Sequence, residues 1–217
     1  MDTSLISPYT KALSAQKAQL EGYLNQGFQT ITVPTDISQI ESSKIHMLGK
    51  SAMWFAAIGV IALVAGVIMG QMGIIVAGAA AILSGGYLWM KGKQARRAEA
   101  FEGLGTKIYG EISVITDKIT SEWKSFVAVQ NDNLKKQIVG SDESTDSKVA
   151  MIDKIESTPE VRVNLDAVRS DLQSLGAKEN LDDYKAYIAK TQSSIKTAID
   201  NVDGAQQTIY STIAGAK

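Results

Sequence analysis

Few residues in this 217-residue chain are of a type and spacing that could do chemistry, and each of them points away from catalysis. There is one histidine, His46, and no cysteine. A lone imidazole can serve as a base or a ligand, but no carboxylate, hydroxyl or second ligand stands at a matching spacing, and its place beside a long apolar run marks it as an interfacial residue. Without cysteine there is no disulfide and no thiolate metal site. The stretch GLGTKIYG, residues 103–110, is glycine-rich and carries Lys107. It lacks the G-x-x-x-x-G-K-[ST] spacing of a phosphate loop and lies inside an apolar helical pattern. No G-x-S-x-G elbow occurs. Asp142, Glu143 and Asp146 do not follow the D-x-D-x-D-G order of a calcium loop, so GSDESTDS (140–147) reads as a solvated acidic loop. Residues 98–217 hold 14 basic and 19 acidic side chains, a balance that argues against a nucleic-acid partner. The expectation is a non-enzymatic protein without catalytic residues, cofactor or metal.

The elements that carry these residues are set by an uneven distribution of charge. Residues 1–50 contain four Lys and four Asp/Glu, residues 51–90 contain no charge, and the remaining charges fall in 91–217. A membrane-crossing helix needs about 20 apolar residues. Residues 52–70 and 72–90 each supply a run of nearly that length, and a single helix over the whole block would extend about 60 Å, twice the hydrocarbon thickness. Gly70, Gln71 and Gly73 interrupt the block near its midpoint. Two glycines permit a tight reversal, so 70–73 is expected to be the turn of a two-span transmembrane hairpin.

The flanks fit that reading. Lys50 precedes the first span, and Lys91, Lys93, Arg96 and Arg97 follow the second, which places both termini in the cytoplasm by the positive-inside rule. Trp54, Tyr87 and Trp89 then fall at one interface as aromatic anchors. Small residues recur every fourth position, at Ala62, Gly66 and Gly70 and at Gly73, Ala77, Ala81 and Gly85. Such rows let two helix backbones approach closely, which zips the spans together or supports self-association.

Only three prolines occur, which favours long helices elsewhere. Ser7-Pro8 is expected to open the first helix, with Leu5, Tyr9, Leu13, Leu20, Leu24, Phe28 and Ile31 on one face. Asp36 and Gln39 resemble a capping box for a helix leading into the first span. After the second span, Phe101, Leu104, Ile108, Ile112, Ile115, Ile119, Trp123 and Phe126 step 3-4-4-3-4-4-3, an eleven-residue period that would continue one helix from 72 to 139. A short helix is expected over 147–156. Thr158-Pro159 then starts another, ended by Gly176. Asn180 caps a last helix whose Leu181, Ile188, Ile195, Val202 and Ile209 repeat every seven residues, a coiled-coil-like stripe.

The expected molecule is therefore an all-α membrane protein. It has N-terminal amphipathic helices (1–50), a transmembrane helical hairpin (51–90) and a C-terminal helical, coiled-coil-like region (91–217) that packs as a bundle. The expected function is a membrane-anchored scaffold or assembly subunit that contacts lipid, forms homo-oligomers through its helices and offers its C-terminal helices to a protein partner. A second reading is a pore-former, because an apolar hairpin between long amphipathic helices is similar in architecture, though in no motif, to α-helical pore-forming toxins. A third is a secreted effector in a host membrane, since the two-lobed apolar block resembles that of inclusion-membrane proteins of intracellular bacteria.

Overall fold

The computed structural model describes residues 3–36 and 72–215, and between 72 and 96 it describes side chains only at Tyr87, Met90 and Gln94. Among the described residues every regular element is an α-helix: α1 (Thr3–Thr30), α2 (Met72–Val139), α3 (Thr145–Glu156), α4 (Leu165–Gly176) and α5 (Leu181–Gly215). They fall into two compact units. The first takes α1, residues 107–171 and residues 182–215. The second takes 33–36, 72–106 and 172–181.

The first unit is a four-column bundle, up-down-up-down in chain order. Columns one and four, α1 and α5, are antiparallel. The Tyr9 and Tyr210 ring centroids are 5.8 Å apart, Lys17 Nζ lies 2.7 Å from Asp200, Lys196 pairs with Glu21 at 3.6 Å, and Gln192 donates to Asn25 at 3.1 Å. Columns one and two are antiparallel as well, since Gly27 packs on Ile115 and the Lys118 ammonium sits 4.0 Å over the Tyr23 ring. The third column is broken. It runs back along α2 as α3, then as extended chain over 158–164, then as the first turns of α4. Lys135–Glu156 at 2.9 Å, Trp123 to Pro159 and Arg169 to Tyr109 mark its course. Because Gly27 meets Ile115 near the end of α1, Thr32 and Lys107 lie at the same end of this bundle.

In the second unit α2 continues without interruption through Gly103 and Gly105. Phe101, Leu104 and Leu172 are buried, and Arg97 Nε pairs with Glu179 at 2.8 Å. Glu179, in the turn after α4, has φ of 51°, the left-handed conformation by which a helix end is commonly turned.

Several expectations are corrected. Pro8 does not open α1. The helix starts at Thr3 and holds Pro8 inside it, because the extra turn seats Ile6, 4% exposed, in the core. Thr158-Pro159 does not start a helix. Trp123 and Asn131 bind this stretch as extended chain, and Asn164 caps α4 by accepting from Ala167 N at 3.0 Å. The α2 core row passes through Thr116 and Val127 rather than Ile115 and Phe126. The expected turn at 70–73 is shorter at its far side, since Met72 and Gly73 are already helical. The expected first span, 52–70, lies outside the described residues. Among the described residues no helix is long and apolar enough to cross a membrane.

Candidate functional site

The break in the third column leaves a cleft. Where a fourth helix would fill the groove beside α2, the extended chain over 158–161 stands off and leaves a cavity of about 330 Å3. Thr120, Trp123, Lys124 and Val127 of α2 form one wall, and Thr158, Pro159, Glu160 and Val161 form the other. The break is built by side-chain donors of α2. Trp123 Nε1 donates to the Pro159 carbonyl at 2.8 Å. Asn131 Nδ2 donates to the Ile155 carbonyl at 3.2 Å and to Thr158 Oγ1 at 2.7 Å. Thr158 Oγ1 in turn donates to Ile155 O at 2.7 Å. The Ile155 carbonyl, which in a continuing helix would face Pro159 and find no N–H, is thereby satisfied from Asn131 and Thr158. The cleft is mostly apolar, and the polar groups that shape it are spent on the chain itself. It has room for a small apolar body and holds no nucleophile–base pair.

A second concentration of polar groups lies between α1 and α5. Lys17 spans Asp200 at 2.7 Å and Asp203 at 3.7 Å. Asp203 is only 5% exposed. Burial raises its carboxyl above the ordinary value, and the Lys17 charge offsets this only in part. Lys17 is itself raised, chiefly by its hydrogen bond to Asp200. One face of α5 continues this polar line. Gln206 is fully buried and donates to Asn131 Oδ1 at 3.4 Å. Tyr210, also fully buried, packs against Tyr9 with the ring planes tilted by 56°. Burial raises the Tyr210 phenol, with Gln206 opposing weakly. On α1, Gln16 takes a core position between Leu13 and Leu20. Gln16 Nε2 and Asp203 Oδ1 complete no hydrogen bond within the protein, whereas the Tyr210 hydroxyl and Gln206 are within reach of each other.

The residues singled out by sequence are dispersed relative to these two features. Lys50, Trp54, Ala62, Gly66, Gly70, Gln71 and His46 lie outside the described residues. Gly73, Ala77, Ala81 and Gly85 are in the first turns of α2, and Trp89, Lys91, Lys93 and Arg96 follow on the same helix. Tyr87 is 57% exposed. Arg97 is engaged by Glu179. Lys107 pairs along its own helix with Glu111 at 3.9 Å, so GLGTKIYG is helix interior, not a loop. Asp142 and Glu143 fall in the α2–α3 connection, whereas Asp146 is in the first turn of α3, whose N-cap is Ser144. Among the described residues no group of three or more His, Cys, Asp or Glu could hold a metal ion.

Sequence reading missed Gln16, Asn131, Asp203 and Gln206. One signal for them exists: each sits in register with an apolar row, where a polar residue has to find a partner or remain unpaired. No family model, curated protein or solved structure matches the chain.

Proposed function

We propose that the chain is a non-enzymatic, membrane-anchored helical scaffold or assembly subunit, anchored by an apolar hairpin formed by residues 51–90. The observation that carries this reading is the way the segment joins the bundle. Thr32 and Lys107 lie at one end of the first unit, as a hairpin inserted between two antiparallel helices requires. α2 joins the 72–90 sequence to the bundle in one helix. The uncharged sequence 51–90, its basic flanks at Lys50 and Lys91–Arg97, and its rows of small residues supply the rest of the argument. Lipid is then the first partner, and copies of the chain or another protein would use exposed faces of the bundle.

The test is membrane extraction of the full chain. It should stay with the membrane fraction through alkaline carbonate. Val64→Arg with Ile82→Arg should release it, since a charge near mid-bilayer costs about 2.5–3.5 kcal/mol on insertion scales. A wild-type chain released by carbonate overturns the proposal. Dye leakage from vesicles at the same protein concentration separates the alternative: a pore-former empties them, and an anchored scaffold leaves them intact.

A further inference from the structure

We infer that the cleft beside α2 is a binding site for a short straight-chain aliphatic carboxylate, its tail lying between Trp123 and Pro159 and its carboxylate at Lys124. This does not depend on the membrane reading, because every group it uses lies inside the first unit. Size and shape come first. The cavity, about 330 Å3, falls at the small end of ligand pockets, which run from about 300 Å3 upwards. A water's share of space is about 30 Å3, so the cavity holds roughly ten non-hydrogen atoms, the size of octanoate. It is a trough rather than a round socket. One wall, Thr120 to Val127, covers about 10 Å of helix at 1.5 Å per residue. The other, Thr158 to Val161, covers about 10 Å of extended chain at 3.3 Å per residue. Two walls of equal length suit a straight chain better than a ring or a branched body.

The chemistry of the walls narrows the choice. Trp123, Val127, Pro159 and Val161 offer apolar surface. The Trp123 N–H is spent on the Pro159 carbonyl at 2.8 Å, and the Thr158 hydroxyl on the Ile155 carbonyl at 2.7 Å. A ligand with a polar body would lose its hydration there and gain few hydrogen bonds in return. At the rim the charges are unequal. Glu160 is neutralised by Arg162 at 3.2 Å. Lys124 is exposed and forms no ion pair among the described residues, and no acid stands three or four positions from it along α2. The rim therefore keeps one unopposed cation over an apolar trough, and an apolar chain ending in an anion is its complement. The lysine stem lies along apolar surface while the ammonium stays in water. A carboxylate can meet it there without being fully desolvated, which avoids the cost of a buried pair.

Photo-crosslinking of the full chain in membranes, read by peptide mass spectrometry, tests this. Octanoate carrying a diazirine on its tail should label peptides covering 120–127 and 158–161, and unlabelled octanoate should compete at about 1 mM. Octylammonium, equal in length and opposite in charge, should compete at least about tenfold less well. Lys124→Glu, at an exposed position, should invert that order, and the exposed control Lys190→Glu on α5 should leave it unchanged. Thr120→Phe fills the trough from a half-buried position and should remove the label while the circular dichroism stays that of wild type. Absence of label from both segments overturns the inference. So does equal competition by the two amphiphiles, or an order that survives Lys124→Glu, because the anion would then not be read at this rim. If Lys190→Glu inverts the order as well, general surface charge and not the cleft selects the carboxylate, and that also overturns it.

Discussion

Asp203 shows how one buried carboxylate shapes its neighbourhood. It faces Lys17 and Glu21 from α1 and Asp200 from its own helix, and its Oδ2 accepts from Gln207 at 3.0 Å. Desolvation dominates, so its folded-state pKa lies above the unfolded value. The folded state then holds the proton more tightly. The stability contributed at this site is fully present in acid and is lost as pH rises through the folded pKa. Asp203→Asn needs no ionisation and leaves Lys17 its shorter contact to Asp200. It should melt above wild type at neutral pH, and the difference should shrink as pH falls into the carboxylate range. Thermal melts across that range check the sign. A variant that melts below wild type at neutral pH would show that the Lys17 attraction outweighs desolvation.

Between helices, Gly27 is the clearest point of control. A Cβ built there would lie 2.6 Å from Ile115 Cγ1 and 2.8 Å from Cδ1. Ile115 is β-branched, with one strongly preferred rotamer in a helix, so it cannot swing aside freely. Replacing a mid-helix glycine by alanine ordinarily gains about 1 kcal/mol of helix propensity. Overpacking here should reverse that, for a net loss of about 1–2 kcal/mol in Gly27→Ala. Adding Ile115→Val trims the encroaching Cδ1 and should recover part of the loss. Denaturant midpoints of the two variants settle it, and a stabilised Gly27→Ala would mean that the helices do not meet this closely. The same contact explains the α2 row. With Ile115 lying on Gly27 at the edge of the interface, Thr116 falls into the core position, and the spacing from Phe101 becomes 3-4-4-4-3-4-4 rather than an eleven-residue repeat.

At the level of the whole chain, the seven-residue stripe of α5 is covered from Ile195 to Ile209 within the bundle, whereas Leu181 and Ile188 are only half-buried. Ile195 is fully buried and Val202 is 4% exposed within a single chain. Ile199, Asp203, Gln206, Tyr210 and Ile213 are buried as well, a broader face than a two-stranded zipper uses. Ile195→Asp should cost several kcal/mol and unfold the bundle, without first splitting an oligomer, because it buries an unpaired charge in the core. Circular dichroism together with light scattering separates the outcomes. A variant that keeps its melting temperature but loses mass would place the stripe between chains after all.

The sequence by itself determined most of the elements, though not all of their starts. Proline scarcity and 3-4 spacing were enough for helices throughout the described residues, for α2 reaching 139, for a short helix ending at 156 and for the start of α5 after Asn180, because periodic burial and capping are local signals. It also displayed the uncharged block 51–90, whose relation to a membrane remains the proposal above. Only the tertiary structure decided which neighbour each row meets. The extended chain after Thr158 is held because Trp123 and Asn131, distant in sequence, bind the carbonyls of Pro159 and Ile155, the latter left without a helical donor by Pro159 itself. The buried polar line from Gln16 to Tyr210 arises because two helices separated by most of the chain's length lie antiparallel. A one-dimensional pattern states that a residue is buried. Whether its hydrogen bonds are met depends on the side chain opposite, and long-range packing chooses that side chain.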